Sequence, residues 1–291
     1  TYSMLEIGSE RIHTTDASTL LSDAIAYSQP FLQRDSLLIA KLAGTDPGGQ
    51  RWSVDRWEAS GKRSESIAKF PEDIWVEQFF GSPVPERWLG RFCVWNGKTH
   101  PDQRSVFYGL WNSKESKFDW KTDENGEPFR HPDISRDGRY LIFENNSKIS
   151  QVSTLDGKTI TLVDLPGQSV RCMKYSPDGK YIAVALTRPS AIHNYRASDG
   201  KLIWEIHPQG RPIEDLSWSM DQQVLVSLSL DGYLRTYDVV TQKISSQQLL
   251  PISNPKQLRL SLDEQSLFVL GGQGEILPIL LPPTVESTKQ R

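Results

Sequence analysis

Apolar residues in this chain recur in short runs separated by polar turns, and the runs return at a nearly constant interval. Tyr140–Phe143, Tyr181–Leu186, Val224–Leu228 and Leu267–Leu270 are apolar at almost every position instead of at every second one. A β-strand reads that way when both faces of its sheet are covered. Each run follows a Ser-x-Asp element beginning at Ser135, Ser176, Ser219 and Ser261, with spacings of 41, 43 and 42 residues. Two of the four continue with Gly. This is turn chemistry: the carboxylate caps backbone N–H groups and glycine takes positive φ.

A second landmark keeps the same period. Val152, Tyr195, Tyr237 and Ile279 are 43, 42 and 42 residues apart, each with an apolar residue three places earlier. Trp57 and Trp111 match this landmark upstream, stretched to 54 residues. Such a period is the mark of a repeat architecture. Counting strand candidates gives four each over 22–70, 74–121, 131–165, 169–207 and 212–250, three over 256–281, and one spare within 1–14. A ring that lends its first strand to its last unit removes two exposed sheet edges. The expected fold is therefore all-β: a single β-propeller over 1–285, with six four-stranded blades, 1–14 as the closing strand and 286–291 as a flexible tail. Seven blades fit if sequence precedes Thr1. The start without Met or a targeting segment reads as a processed chain or a piece of something longer.

Composition changes this picture little. The net charge of −3 lacks the basic excess that a nucleic-acid binder needs, and no apolar run reaches the length of a membrane span. Cys93 and Cys172 fall in non-adjacent units and are expected as buried free thiols. No compartment is indicated.

Ser176-Pro-Asp-Gly-Lys-Tyr-Ile182 and Asp231-Gly-Tyr-Leu-Arg-Thr-Tyr-Asp238, set in units of this length, resemble the Trp-Asp (WD) repeat propellers. The resemblance is good over 131–281 and weaker over 22–130. It implies a protein-binding scaffold and places Asp231 where the family's buried Asp is found. Tyr237-Asp238 stands for the usual Trp-Asp, and the Gly-His pair is absent, with only His207 near its place. The family's His-Ser-Asp-Trp hydrogen-bond chain is thus not expected, and Trp57, Trp111 and Tyr237 should pack as core aromatics. Ala197–Trp204 also resembles a docking signature of quinoprotein propellers. The equivalent runs at 156–161 and 242–246 lack Trp, so Trp204 is read as covering a blade face.

Catalytic chemistry is hard to find. The five histidines have no pair at metal-ligand spacing, Gly167-Gln-Ser169 lacks a nucleophile elbow, and Gly272-Gln-Gly274 lacks a third glycine. No cofactor or metal is expected. Loops at 44–49, 96–102 and 187–190 read as expanded, all in the connection between second and third strands. Insertions on one face of a repeat array mark its binding face. Trp75, His131, Arg171, Arg211 and Lys256 fall near the same channel mouth. The expectation is a monomeric, non-enzymatic platform for a protein or peptide, without nucleic-acid binding or membrane insertion. The alternatives are a small-molecule or metal-dependent hydrolase of lactonase type, and the accessory or sensor domain of a longer protein.

Overall fold

The computed structural model describes residues 63–81 (72 aside), 86–94, 105–122 and 129–260 (209 and 253 aside), and beyond these the strands at 3–4, 15–16, 24–27, 31–33, 36–43, 51–58, 266–271 and 276–280. Those residues form antiparallel sheets built from consecutive strands. The first sheet holds β3 (Ala24–Tyr27), β4 (Phe31–Gln33), β5 (Ser36–Ala43), β6 (Arg51–Glu58) and β7 (Arg63–Lys69), with both β3 and β4 paired to β5. The second holds β8 (Ile74–Gly81), β9 (Arg87–Val94), β10 (Ser105–Asn112) and β11 (Lys117–Lys121). In the third are β12 (Arg130–Ile134), β13 (Tyr140–Asn145), β14 (Lys148–Ser153) and β15 (Thr159–Asp164). The fourth has β16 (Val170–Tyr175), β17 (Tyr181–Thr187), β18 (Ser190–Arg196) and β19 (Leu202–Ile206). The fifth has β20 (Ile213–Trp218), β21 (Val224–Ser229), β22 (Tyr233–Asp238) and β23 (Lys243–Leu249). The sixth has β24 (Pro255–Leu260), β25 (Ser266–Gly271) and β26 (Ile276–Leu280). Within 1–14, where a closing strand is expected, only β1 (Ser3–Met4) is described, and it pairs with β2 (Thr15–Asp16).

In the third to fifth sheets the Ser-x-Asp elements form the hairpin between the first and second strands. In the third sheet Ser135 Oγ donates to Asp137 Oδ1 at 2.7 Å, and that oxygen also accepts from Arg139 N at 3.0 Å. Tyr140 N in turn donates to Ser135 Oγ at 3.0 Å. The same ring of bonds recurs at Ser176/Asp178/Tyr181 and at Ser219/Asp221/Val224. Each side chain satisfies donors that a tight turn leaves without a strand partner.

Neighbouring sheets stack face to face, and the core lies between them in separate layers. Val54 and Phe70 from the first sheet and its exit pack with Trp88, Phe92, Phe107 and Trp111 of the second. Leu89 and Leu110 meet Leu141, Phe143 and Val152 of the third. β17 shows why its run is apolar throughout: Ile182, Val184 and Leu186 face the third sheet, while Ala183 and Ala185 face the fifth. Each of the large aliphatic side chains so buried contributes about 1.5–3 kcal/mol. The first strands pack in succession, β12 on β16, β16 on β20 and β20 on β24, which sets these sheets about a common axis.

The aromatic landmarks are core residues. Trp111 is 1% exposed, its ring 4.6 Å from that of Phe70. Tyr237 is fully buried, with its hydroxyl 3.0 Å from Ser227 Oγ. The side chain of Trp57 lies outside the described residues. Trp204 is buried between the fourth and fifth sheets, covering a sheet face as read from the sequence. Cys93 and Cys172 are buried and unbridged.

Candidate functional site

Two kinds of connection share one face of the molecule. The links between sheets are hydrogen-bonded to the hairpins between second and third strands: Leu165 N to Ser147 O, Thr187 N to Ser169 O, Leu230 N to Pro212 O and Leu250 N to Gly232 O, at 2.8–3.0 Å. The Ser-x-Asp turns lie at the other end, bonded to the turns between third and fourth strands through Thr154 N to Arg139 O, Ala197 N to Lys180 O and Val239 N to Gln223 O. One expectation needs correcting. Thr187 and Ser190 pair with each other, so 187–190 is a tight hairpin with only Arg188 and Pro189 at its tip, not an expanded loop. The loops at 44–49 and 96–102 lie outside the described residues.

In each of the six larger sheets the first strand carries a β-bulge against the neighbour it pairs with. It falls between Ala24 and Ala26, Val76 and Gln78, Arg130 and Asp133, Val170 and Cys172, Ile213 and Asp215, and Pro255 and Gln257. A bulge inserts an unpaired residue and re-aims its side chain. In the second to sixth sheets the inserted residues are Glu77, His131 with Pro132, Arg171, Glu214 and Lys256. Three sequence candidates, His131, Arg171 and Lys256, are therefore equivalent residues on successive inner strands. Glu77 and Glu214 complete the set and were not read from the sequence, because a bulge shows only once two strands are in register.

The rim is held by specific pairs. The Arg171 guanidinium donates to Glu214 across two sheets, and the Glu214 side chain is only 4% exposed against 41% for Arg171. His131 sits half-buried at φ 52°. Burial holds its imidazole below the ordinary value of 6.5; Glu144 opposes this, while Arg171 and Arg130 reinforce it. Glu144 itself accepts from Ser147 N at 2.8 Å. Lys256 is exposed. Arg211 is also exposed and lies in the link before β20, where its N–H donates to Asp231 Oδ2 at 3.4 Å. Trp75 stands apart: it is the partner of Cys93 in β9 and packs against the layer between the first and second sheets.

Next to the bulges the inner strands carry a second charged set. Asp133 Oδ2 accepts from Tyr175 N at 2.8 Å, and its Oδ1 lies 3.5 Å from Lys174 Nζ. Asp215 Oδ2 accepts from Leu258 N at 2.8 Å and from Arg259 Nη1 at 3.1 Å. Each carboxylate thus ties its own sheet to the next. Burial alone would lower Lys174, but Asp133 and Asp215 outweigh it and raise its pKa, so it stays charged. The Cys172 thiol beside them is pushed well up by burial and by Asp215, which makes it a poor nucleophile. Among the described residues no three His, Cys, Asp or Glu side chains are grouped to hold a metal ion.

Comparison with known proteins agrees with this geometry. A family model described as the WD40 domain of anaphase-promoting complex subunit 4 matches residues 186–252. The β-propeller domain of Cps50 (Swd1) from Myceliophteria thermophila is similar in structure, with a TM-score of 0.53 at 15% identity. The fold is a β-propeller, similar over 186–252 to a WD40 domain. The match covers 64% of this chain and 64% of the Cps50 domain. No curated protein matches the sequence. In this propeller Tyr237 stands where WD repeats have Trp and its hydroxyl bonds Ser227, while Asp231 lies at the hairpin between β21 and β22. There its carboxylate accepts from Tyr233 N at 3.3 Å and lies 3.5 Å from Arg235 Nη2. Arg235 is buried, donates to Ser229 Oγ at 2.8 Å and lies over the Tyr233 ring.

Proposed function

We propose that this propeller is a non-catalytic platform that recognises a protein or peptide on its loop-bearing face. WD-repeat propellers are generally non-enzymatic interaction scaffolds, and the matched family model is named for a subunit of a larger complex. The observation that carries the reading is the bulge repeated at the start of the inner strands. In four sheets it inserts a charged residue, Glu77, Arg171, Glu214 or Lys256, at an equivalent position beside the sheet-to-sheet links. Bulges that re-aim side chains are a device of binding surfaces rather than of cores. We take the propeller to act as a monomer, its sheets presenting the links and hairpins to one partner.

The test is affinity purification from the native cells with the wild type and with Arg211→Ala/Lys256→Ala. Both side chains are exposed, so the variant keeps its fold. A reproducible partner set that the variant loses supports the reading. Partners retained in full by the variant refute the choice of face, and no reproducible partner refutes the platform.

A further inference from the structure

Resting on that reading, the charge of the loop-bearing face narrows the kind of partner. Over the fourth to sixth sheets the described residues of this face lie in 165–171, 187–190, 207–214 (209 aside), 229–235 and 250–257 (253 aside). These segments carry the cations Arg171, Arg188, Arg211, Arg235 and Lys256, and the acids Glu214 and Asp231. Both acids are engaged: Glu214 holds Arg171, and Asp231 lies against Arg235 while accepting the N–H groups of Arg211 and Tyr233. Arg188, Arg211 and Lys256 are exposed and make no ion pair among the described residues. Three uncompensated positive charges thus gather on one face of a chain whose net charge is −3. The opposite face differs, because over the third to fifth sheets its turns carry Arg136, Arg139, Lys158, Lys180, Arg196, Lys201 and Lys243 against Asp137, Asp156, Asp178, Asp199, Asp221 and Asp238. Its charge is nearly balanced, with Arg139, Lys180 and Arg196 paired inside their own turns.

We propose that this face takes an acidic peptide segment, rich in Asp and Glu, lying across the fourth to sixth sheets. Arg188 is at a hairpin tip, Arg211 in a sheet-to-sheet link and Lys256 at a strand bulge. Cations spread over three separate connections suit an extended chain with several carboxylates rather than one small anion. Arginine presents a planar fork that a carboxylate fills with two parallel hydrogen bonds, and an exposed positive rim speeds encounter with an acidic partner. A nucleic acid would meet the same rim, but the net negative charge of the rest of the chain opposes a long polyanion.

The test immobilises the intact chain and selects binders from a random peptide library. Labelled selected peptides are then titrated against the wild type and Arg188→Glu/Arg211→Glu/Lys256→Glu, with circular dichroism to verify the variant's fold. The expected result is enrichment of Asp/Glu-rich peptides that lose affinity as salt rises and bind the variant about 30-fold more weakly. Selected peptides that are neutral or basic yet still bind this face overturn the acidic assignment and leave the platform reading standing. Acidic peptides indifferent to the variant overturn the site. A single-stranded RNA that displaces the peptides and binds more tightly through the same three residues overturns the partner class. If no peptide is selected and the purification above also yields no partner, the platform reading itself fails.

Discussion

Asp215→Ala removes a carboxylate that three groups share. Its residue is 6% exposed; Oδ1 accepts from Leu216 N at 3.0 Å, and Oδ2 from Leu258 N at 2.8 Å and Arg259 Nη1 at 3.1 Å. Leu258 is itself buried, so its N–H is left without an acceptor at a cost of about 1–3 kcal/mol. Arg259, whose side chain is partly exposed, keeps its bond to Leu258 O but loses its ion-pair partner, which brings the total to about 2–4 kcal/mol. For a domain of this size that lowers Tm by about 10 °C. Asp215→Asn retains an oxygen for Leu258 N and should cost about half as much. Urea unfolding followed by tryptophan fluorescence, together with thermal melts, measures both. If Asp215→Ala stays within about 1 kcal/mol of wild type, the carboxylate does not join the fifth and sixth sheets and the reasoning is refuted.

Two further outcomes follow from local geometry. Gly157 and Gly200 occupy equivalent turns at φ 70° and 68°, but a Cβ at Gly157 meets nothing within 4 Å while one at Gly200 comes 2.0 Å from Leu162 O. Gly157→Ala should therefore cost about 1 kcal/mol and Gly200→Ala about 3 kcal/mol or more in urea melts; equal costs would show that the third and fourth sheets are not in contact there. Burial lowers both His131 and His193 below 6.5, against the pull of Glu144 and Glu205 respectively. The unfolded chain then binds protons more readily, so their contribution to stability is complete above pH 6.5 and is lost as pH falls through the folded values. Imidazole NMR titration should place both midpoints below 6.5, and His131→Gln should flatten part of the stability loss; a midpoint at or above 6.5 for either ring contradicts its burial.

The sequence by itself determined the strands and their hairpins, because both depend on neighbours within a few residues. Ser176, Asp178 and Tyr181 build the same turn wherever the chain goes, and the unbroken apolar run Tyr181–Leu186 states that its strand is covered on both faces. The core roles of Trp111 and Tyr237 follow from the periodic landmark, and that of Trp204 from the lack of Trp in the equivalent runs. Only the tertiary structure decided what the polar residues do. Arg171 meets Glu214 at a distance of 43 positions, and Asp215 finds Leu258 N after another 43. The bulges that make His131, Arg171, Glu214 and Lys256 equivalent arise from a mismatch in residue count between paired strands, which has no signature in either strand alone. Thr187–Ser190 read as a long loop for the same reason, since its length depended on where β17 and β18 ceased to pair. Apolar burial is set by local pattern, but a charge takes its meaning from the partner that the fold brings to it.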